Sequence, residues 1–127
     1  MKAVVETSVI VSALINSNGS PAKILSMILN GNIKILYDNR IIFEYIDVLS
    51  RKEFGFSKEI IIDCFKCDGE FINAEYIKTK FSDETEKKFY EVYKSGEAKY
   101  LITENIKHFP KKDTILLPKD FLQVYKK

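Results

Sequence analysis

A short apolar run, Lys2-Ala3-Val4-Val5, breaks at Glu6-Thr7-Ser8 and resumes as Val9-Ile10-Val11-Ser12-Ala13-Leu14-Ile15. This opening constrains the fold more than any other stretch. Residues 2–6 have the length of a strand, and residues 8–15 read as a helix with a mostly buried surface. In an open parallel sheet, ligands and metals bind beyond the carboxyl ends of the strands. A carboxylate backed by two hydroxyl residues at that position points to a cation site.

The apolar period keeps switching along the chain, which argues for alternating strands and helices. Asn16-Ser17-Asn18-Gly19 is a turn cluster. Ser20-Pro21 then supplies an N-cap and a proline at the first helical position, and Asn30-Gly31 closes that helix. Strands are expected at 33–37, 99–103 and 114–117, with a weak one at 75–78. Helices are expected from Asp38 or Asn39 to Ser50, over 57–71, from Ser82 or Asp83 to Ser95 with Gly96 closing it, and from Pro118 to Tyr125. A helical turn is expected near Ile106 to Phe109. Strands separated by helices need crossover connections, which are right-handed in a parallel sheet. The pattern predicts an α/β domain of three layers, α/β/α.

The 127 residues fit one domain, able to bury roughly two-thirds of the unfolded chain's surface. No apolar run reaches the ~18 residues of a membrane span, and no secretory signal is visible, so the expected location is cytoplasmic. The net charge of +2 neither demands nor excludes nucleic acid, because a local basic patch suffices for phosphate contact. Lys107, Lys111, Lys112, Lys119, Lys126 and Lys127 form such a patch, or simply a solvated surface. Cys64-Phe65-Lys66-Cys67 lacks the second cysteine pair of a structural zinc site. Both thiols are expected on one partly buried helix stripe.

The acids carry the chemistry. Glu6 leaves the first strand, either as a metal ligand or as an N-cap substitute or exposed loop acid. Glu44 falls at the edge of the apolar arc formed by Ile41, Ile42, Tyr45, Ile46, Val48 and Leu49, where an acid reaches into a cleft or snorkels at the surface. Asp83 and Glu86 match a capping box, or a helix start that faces the other acids. Asn105 follows a strand, as a ligand through its amide oxygen or as a cap, and its neighbour Glu104 is expected to be exposed. His108 is the only histidine, which excludes a paired-histidine mechanism, and a structural role is expected for it. Neither a Ser/His/Asp triad nor a Gly-rich phosphate loop is present.

Taken in order, these motifs resemble the PIN-domain family, in the group of toxin components of toxin–antitoxin systems. The resemblance runs from Val4 to Leu14, through Ser20-Pro21-Ala22-Lys23-Ile24-Leu25 and Glu44-Tyr45-Ile46-Asp47-Val48-Leu49-Ser50-Arg51. It continues through Asp83 to Glu86, then Phe89-Tyr90-Glu91-Val92, Tyr100 to Pro110 and Pro118-Lys119-Asp120-Phe121-Leu122. It implies a PIN-like domain over residues 1–127 with a four- or five-stranded, mainly parallel sheet. It also implies a metal-dependent ribonuclease using Mg²⁺ or Mn²⁺, a homodimer, and a small antitoxin covering the cleft. By position, Glu6, Glu44 and Glu86 match the three principal acids, Asn105 a fourth, and Asp83 an additional acid.

Two departures separate this chain from the family pattern. Glu6 and Glu86 stand where aspartate is usual, and the extra methylene moves each carboxylate by roughly an ångström, an error that can cost about 100-fold. Asn105 is neutral where many relatives have an acid. The leading expectation is cleavage of single-stranded RNA, with Glu6, Glu44 and Glu86 holding the ion, helped by Asp83 or Asn105. Thr7 and Ser8 are expected to orient Glu6 or a ligand water, and Lys107 to hold the RNA backbone. Gathered acids are expected to show raised pKa values. The rival expectation is a weakened PIN-like domain that binds an antitoxin or RNA without cutting.

Overall fold

The computed structural model describes residues 1–51 and 58–125. The expected helix position Ser57 and the lysines 126 and 127 lie outside the described residues. Strand β1 (Lys2–Val5) leads directly into helix α1 (Thr7–Ile15), followed by α2 (Ser20–Leu29), β2 (Lys34–Tyr37), α3 (Asn39–Ser50) and α4 (Lys58–Asp68). Then come β3 (Glu70–Phe71), α5 (Lys87–Ser95), β4 (Tyr100–Ile102), β5 (Ile115–Leu116) and α6 (Pro118–Tyr125). The five strands are ordered β3-β2-β1-β4-β5, and every pairing is parallel.

This order has a functional consequence. From β1 the chain moves outward to β2 and β3, then returns to place β4 on the other side of β1 and continues to β5. The strand order therefore reverses between β1 and β4, and the crevice beyond their carboxyl ends is the topological switch point. Glu6 immediately follows β1, and Thr103 to Asn105 follow β4.

The core forms as the hydrophobic patterning requires. Ala3, Val4, Val5, Leu36, Leu101 and Ile102 are sealed within the sheet. Helix α5 packs across β1, β2 and β4, while α2 lies against α1, α4 and α6. Tyr45, Phe65, Phe89 and Phe121 are the bulkiest fully buried side chains, each adding roughly 1.5–3 kcal/mol of burial. Tyr45 also donates a 2.5 Å hydrogen bond from its hydroxyl to the carbonyl of Val5. That bond ties the middle of α3 to the last residue of β1, and so sets Glu44 beside the strand that delivers Glu6.

Several expectations need correction. The N-cap of α2 is Gly19, not Ser20, and no side chain bonds across that helix start. The weak strand lies at Glu70–Phe71, not at 75–78, paired with Leu36 and Tyr37 of β2. Gly69 lets it form there, because a Cβ at this position would stand 2.3 Å from the Phe65 carbonyl oxygen and 2.6 Å from that of Ile35. Glycine alone permits α4 to end so close to the sheet. Asp83 caps a single 3-10 turn, Glu84–Glu86, before α5 begins. Of the two thiols, Cys64 is partly buried but Cys67 is exposed, so the expected partial burial holds for Cys64 alone.

Candidate active site

Glu6 is the N-cap of α1: its Oε2 accepts from the backbone N–H of Ser8 at 3.2 Å. Glutamate is a poor N-cap residue in general, yet here its longer arm reaches the Ser8 amide, the second of the helix. The other oxygen, Oε1, gathers hydrogen bonds from the Ser8 hydroxyl, the Thr103 hydroxyl at 2.9 Å and Asn105 Nδ2 at 3.3 Å. Glu6 is only 4% exposed. Burial raises its pKa, the nearby charge of Glu86 adds to the rise, and the Ser8 and Thr103 donors oppose it; the balance is a pKa of about 6.

Glu86 comes from the opposite direction, at the end of the 3-10 turn that feeds α5, and is also buried. Its Oε2 accepts from Asn105 Nδ2 at 3.0 Å and lies 3.2 Å from Nδ1 of His108. The Asn105 amide therefore bridges Glu6 and Glu86 across the switch point. It bonds the acids through its nitrogen rather than presenting its oxygen, and it makes no side-chain cap to the 3-10 turn at Ile106–His108. Glu86 likewise forms no capping box with Asp83. Asp83 instead accepts from the Thr85 amide and hydroxyl at 3.0 and 2.6 Å, and these donors hold its pKa down.

Among the described residues, Asp83, Glu86 and His108 each offer a ligand atom within 4.8 Å of the others. A set of two carboxylates and an imidazole, with the Glu6 carboxylate one amide away, has the chemistry to hold a divalent ion. Carboxylate oxygen suits Mg²⁺ and Mn²⁺, and an imidazole is accepted by the transition metals.

Glu44 is attached differently. Its Oε2 accepts from the Thr7 hydroxyl and its Oε1 pairs with Lys88 Nζ at 2.6 Å. Among the described residues it makes no hydrogen bond to the other acids, and its Thr7 partner is the chain neighbour of Glu6. Thr7, expected to orient Glu6 or a ligand water, donates to Glu44, while Ser8 donates to Glu6. Lys107 is exposed, in a groove with Lys80 and His108, and Glu104 is exposed and accepts from Ser12 at 2.7 Å.

Sequence reasoning passed over two residues that touch these acids, Thr103 and Lys88, and did not foresee the contact of a third, His108, with Glu86. Thr103, fully buried, donates to Glu6 and accepts from the Asn105 amide at 2.9 Å. His108, for which a structural role is expected, lies with its Nδ1 3.2 Å from Glu86 Oε2. Lys88 neutralises Glu44. Thr103 and His108 flank Asn105 closely enough that a residue flagged at that position points to its neighbours. No such signal exists for Lys88, which is one of 20 basic residues.

A family model described as PIN domain matches residues 2–107 of the chain. No curated protein and no solved structure matches. The matched segment contains β1 through β4 and every acid described above, and stops one residue short of His108.

Proposed function

The chain belongs to the PIN-domain family, and from that premise we propose that it is a divalent-metal-dependent ribonuclease, the toxin of a toxin–antitoxin pair, with residues 1–127 as a single PIN-like domain. PIN domains are typically metal-dependent nucleases. The observation that carries the reading for this chain is the meeting of Glu6 and Glu86 on the Asn105 amide at the switch point.

Glu6, Glu86 and Asp83 would hold Mg²⁺ or Mn²⁺, with Glu44, Asn105 and His108 beside them. An acidified water and relief of charge building on the phosphodiester are what such an ion supplies when bound. The rest falls to the protein. Ser8 and Thr103 both donate to Oε1 of Glu6 and so hold its carboxylate in one position. Thr7 aims Glu44. His108, through its contact with Glu86, is positioned to exchange a proton with that carboxylate or its ligand water. Lys107 would contact the RNA backbone from the flanking groove. A small antitoxin partner, a homodimer and a cytoplasmic setting complete the proposal. Among the described residues no helix is long and apolar enough to cross a membrane.

One observation favours the rival reading, a binding module without cleavage: Lys88 already satisfies Glu44 with a 2.6 Å ion pair. RNA cleavage measured during Mg²⁺ and Mn²⁺ titration separates the two. The nuclease reading expects metal-dependent cleavage by the wild-type chain that disappears in Glu6→Gln, Glu44→Gln and Glu86→Gln. Cleavage surviving in all three removes the proposed site, and none at any metal concentration favours the binding module.

A further inference from the structure

Lys87 opens α5, at the positive end of the helix dipole, where a cation is disfavoured. It is nonetheless buried, only 6% exposed. Among the described residues its ammonium makes no ion pair, and it lies 4.5 Å from the centre of the Tyr76 ring. Tyr76 is the reverse case, an aromatic residue left 77% exposed. Both line a cleft of about 350 Å³ that also includes Glu44 and Lys88, so the cleft opens directly onto one of the candidate catalytic acids.

The carboxylates around this cleft are already satisfied. Glu44 pairs with Lys88, and Glu91 accepts from Arg40 at 2.7 Å and from the Ile77 amide at 3.0 Å. Glu84 accepts from the Phe81 amide at 2.8 Å. Lys87 is left in the cleft wall as a cation that, among the described residues, has no ion-pair partner and lies against the Tyr76 ring. Arg40 and Tyr76 also line a second cleft, which continues to Phe71, another aromatic residue that is 53% exposed. Cations interleaved with exposed rings are what single-stranded nucleic acid requires: charge for the backbone and flat faces on which any base stacks.

We propose that this cleft is the strand-positioning subsite of the protein, in which Lys87 takes a backbone phosphate of single-stranded RNA and the open face of Tyr76 stacks a base next to the phosphate presented at the acids. The inference rests on the ribonuclease reading for its choice of ligand. Lys87 and Tyr76 are positioning residues in it, with no role at the reacting atoms.

The test is fluorescence anisotropy with a labelled single-stranded RNA of about ten nucleotides, in chelator so that nothing is cut. Tyr76→Ala is expected to weaken binding about fivefold to a hundredfold, and Tyr76→Phe to leave it near wild type. Lys87→Gln is expected to weaken binding and to flatten the slope of log affinity against log salt by about 0.7. A duplex of the same sequence is expected to be insensitive to Tyr76→Ala. Tyr76 is exposed, so its variants keep the fold; thermal melting checks Lys87→Gln, and Lys87→Arg, which keeps the charge, should retain the slope. The proposal is overturned if the wild-type chain does not bind the probe or if Tyr76→Ala binds it as well as wild type does. It is equally overturned by an unchanged salt slope in a folded Lys87→Gln, or by duplex binding that falls as far as single-strand binding. Cleavage in added Mn²⁺ is scored separately. Binding that depends on Tyr76 and Lys87 without cleavage keeps the subsite and ends the nuclease reading, and cleavage indifferent to both residues does the reverse.

Discussion

Replacing Glu6 with glutamine tests the electrostatics of the acid cluster without reference to any reaction. In the metal-stripped protein the Glu6 carboxyl is pushed up from its ordinary 4.5 to about 6, chiefly by burial and then by the charge of Glu86. A raised folded-state pKa means that the folded chain holds this proton more tightly than the unfolded chain does. Below about pH 4.5 the group is neutral in both states and costs nothing. As pH rises towards 6 the folded state must carry a buried charge that the unfolded state carries in water, and stability is lost. At about 1.4 kcal/mol per pH unit the penalty at neutral pH is about 2 kcal/mol. With only 4% of Glu6 exposed, little of this is screened by solvent. Glutamine never ionises and keeps an oxygen for Ser8, Thr103 and Asn105, but sets an NH₂ against the Ser8 amide, a pH-independent loss of about 1 kcal/mol. The expected result of urea denaturation in chelator is therefore a difference between wild type and Glu6→Gln that shifts by about 2 kcal/mol in favour of the variant between about pH 4 and about pH 7. A difference that stays flat over that range, or moves the other way, refutes the reasoning.

Three further outcomes follow from the same geometry. Thr103→Val removes the buried hydroxyl that donates to Glu6 and receives the Asn105 amide; it should cost about 1–3 kcal/mol in urea denaturation and lower metal-dependent cleavage. The double variant Glu6→Asp, Glu86→Asp retracts both carboxylates from the Asn105 amide and Glu6 also from Ser8 and Thr103. It should cleave RNA about 10- to 100-fold more slowly than wild type, and a gain in rate would show that the glutamates are unadapted. Gly69→Ala drives a methyl into the Phe65 and Ile35 carbonyls; it should destabilise by about 3 kcal/mol, read from the denaturation midpoint, and a neutral result would contradict the packing of α4 on β2.

The sequence carried most of the fold because the sheet is built from local signals. Val4 and Val5 before a polar break, and Leu101 and Ile102 before Thr103, are apolar runs long enough to read as buried strands. β3 was invisible for the opposite reason. Glu70 and Phe71 show neither alternation nor a run, and they form a strand only because β2 offers its edge and Gly69 allows the approach. The site divides in the same way. That Glu6, Glu86 and Asn105 fall at strand or helix ends is written in the order of elements. That one amide bridges two acids depends on the parallel pairing of β1 with β4, contacts 97 or more residues apart in the chain. The choice of Thr7 for Glu44 and Ser8 for Glu6 is set by which way α1 turns after its cap, and no spacing encodes it.

The claim on which the account rests is that Glu6, Glu86 and Asp83, with His108 alongside, form a site for a divalent ion. Direct titration of Mn²⁺ into the metal-free protein, followed by electron paramagnetic resonance of the free ion, tests it without any substrate. Saturable binding by the wild-type chain that is lost in Glu86→Gln and weakened in His108→Gln is the expected result. A wild-type chain that leaves Mn²⁺ free in solution, or binding untouched by Glu86→Gln, contradicts it.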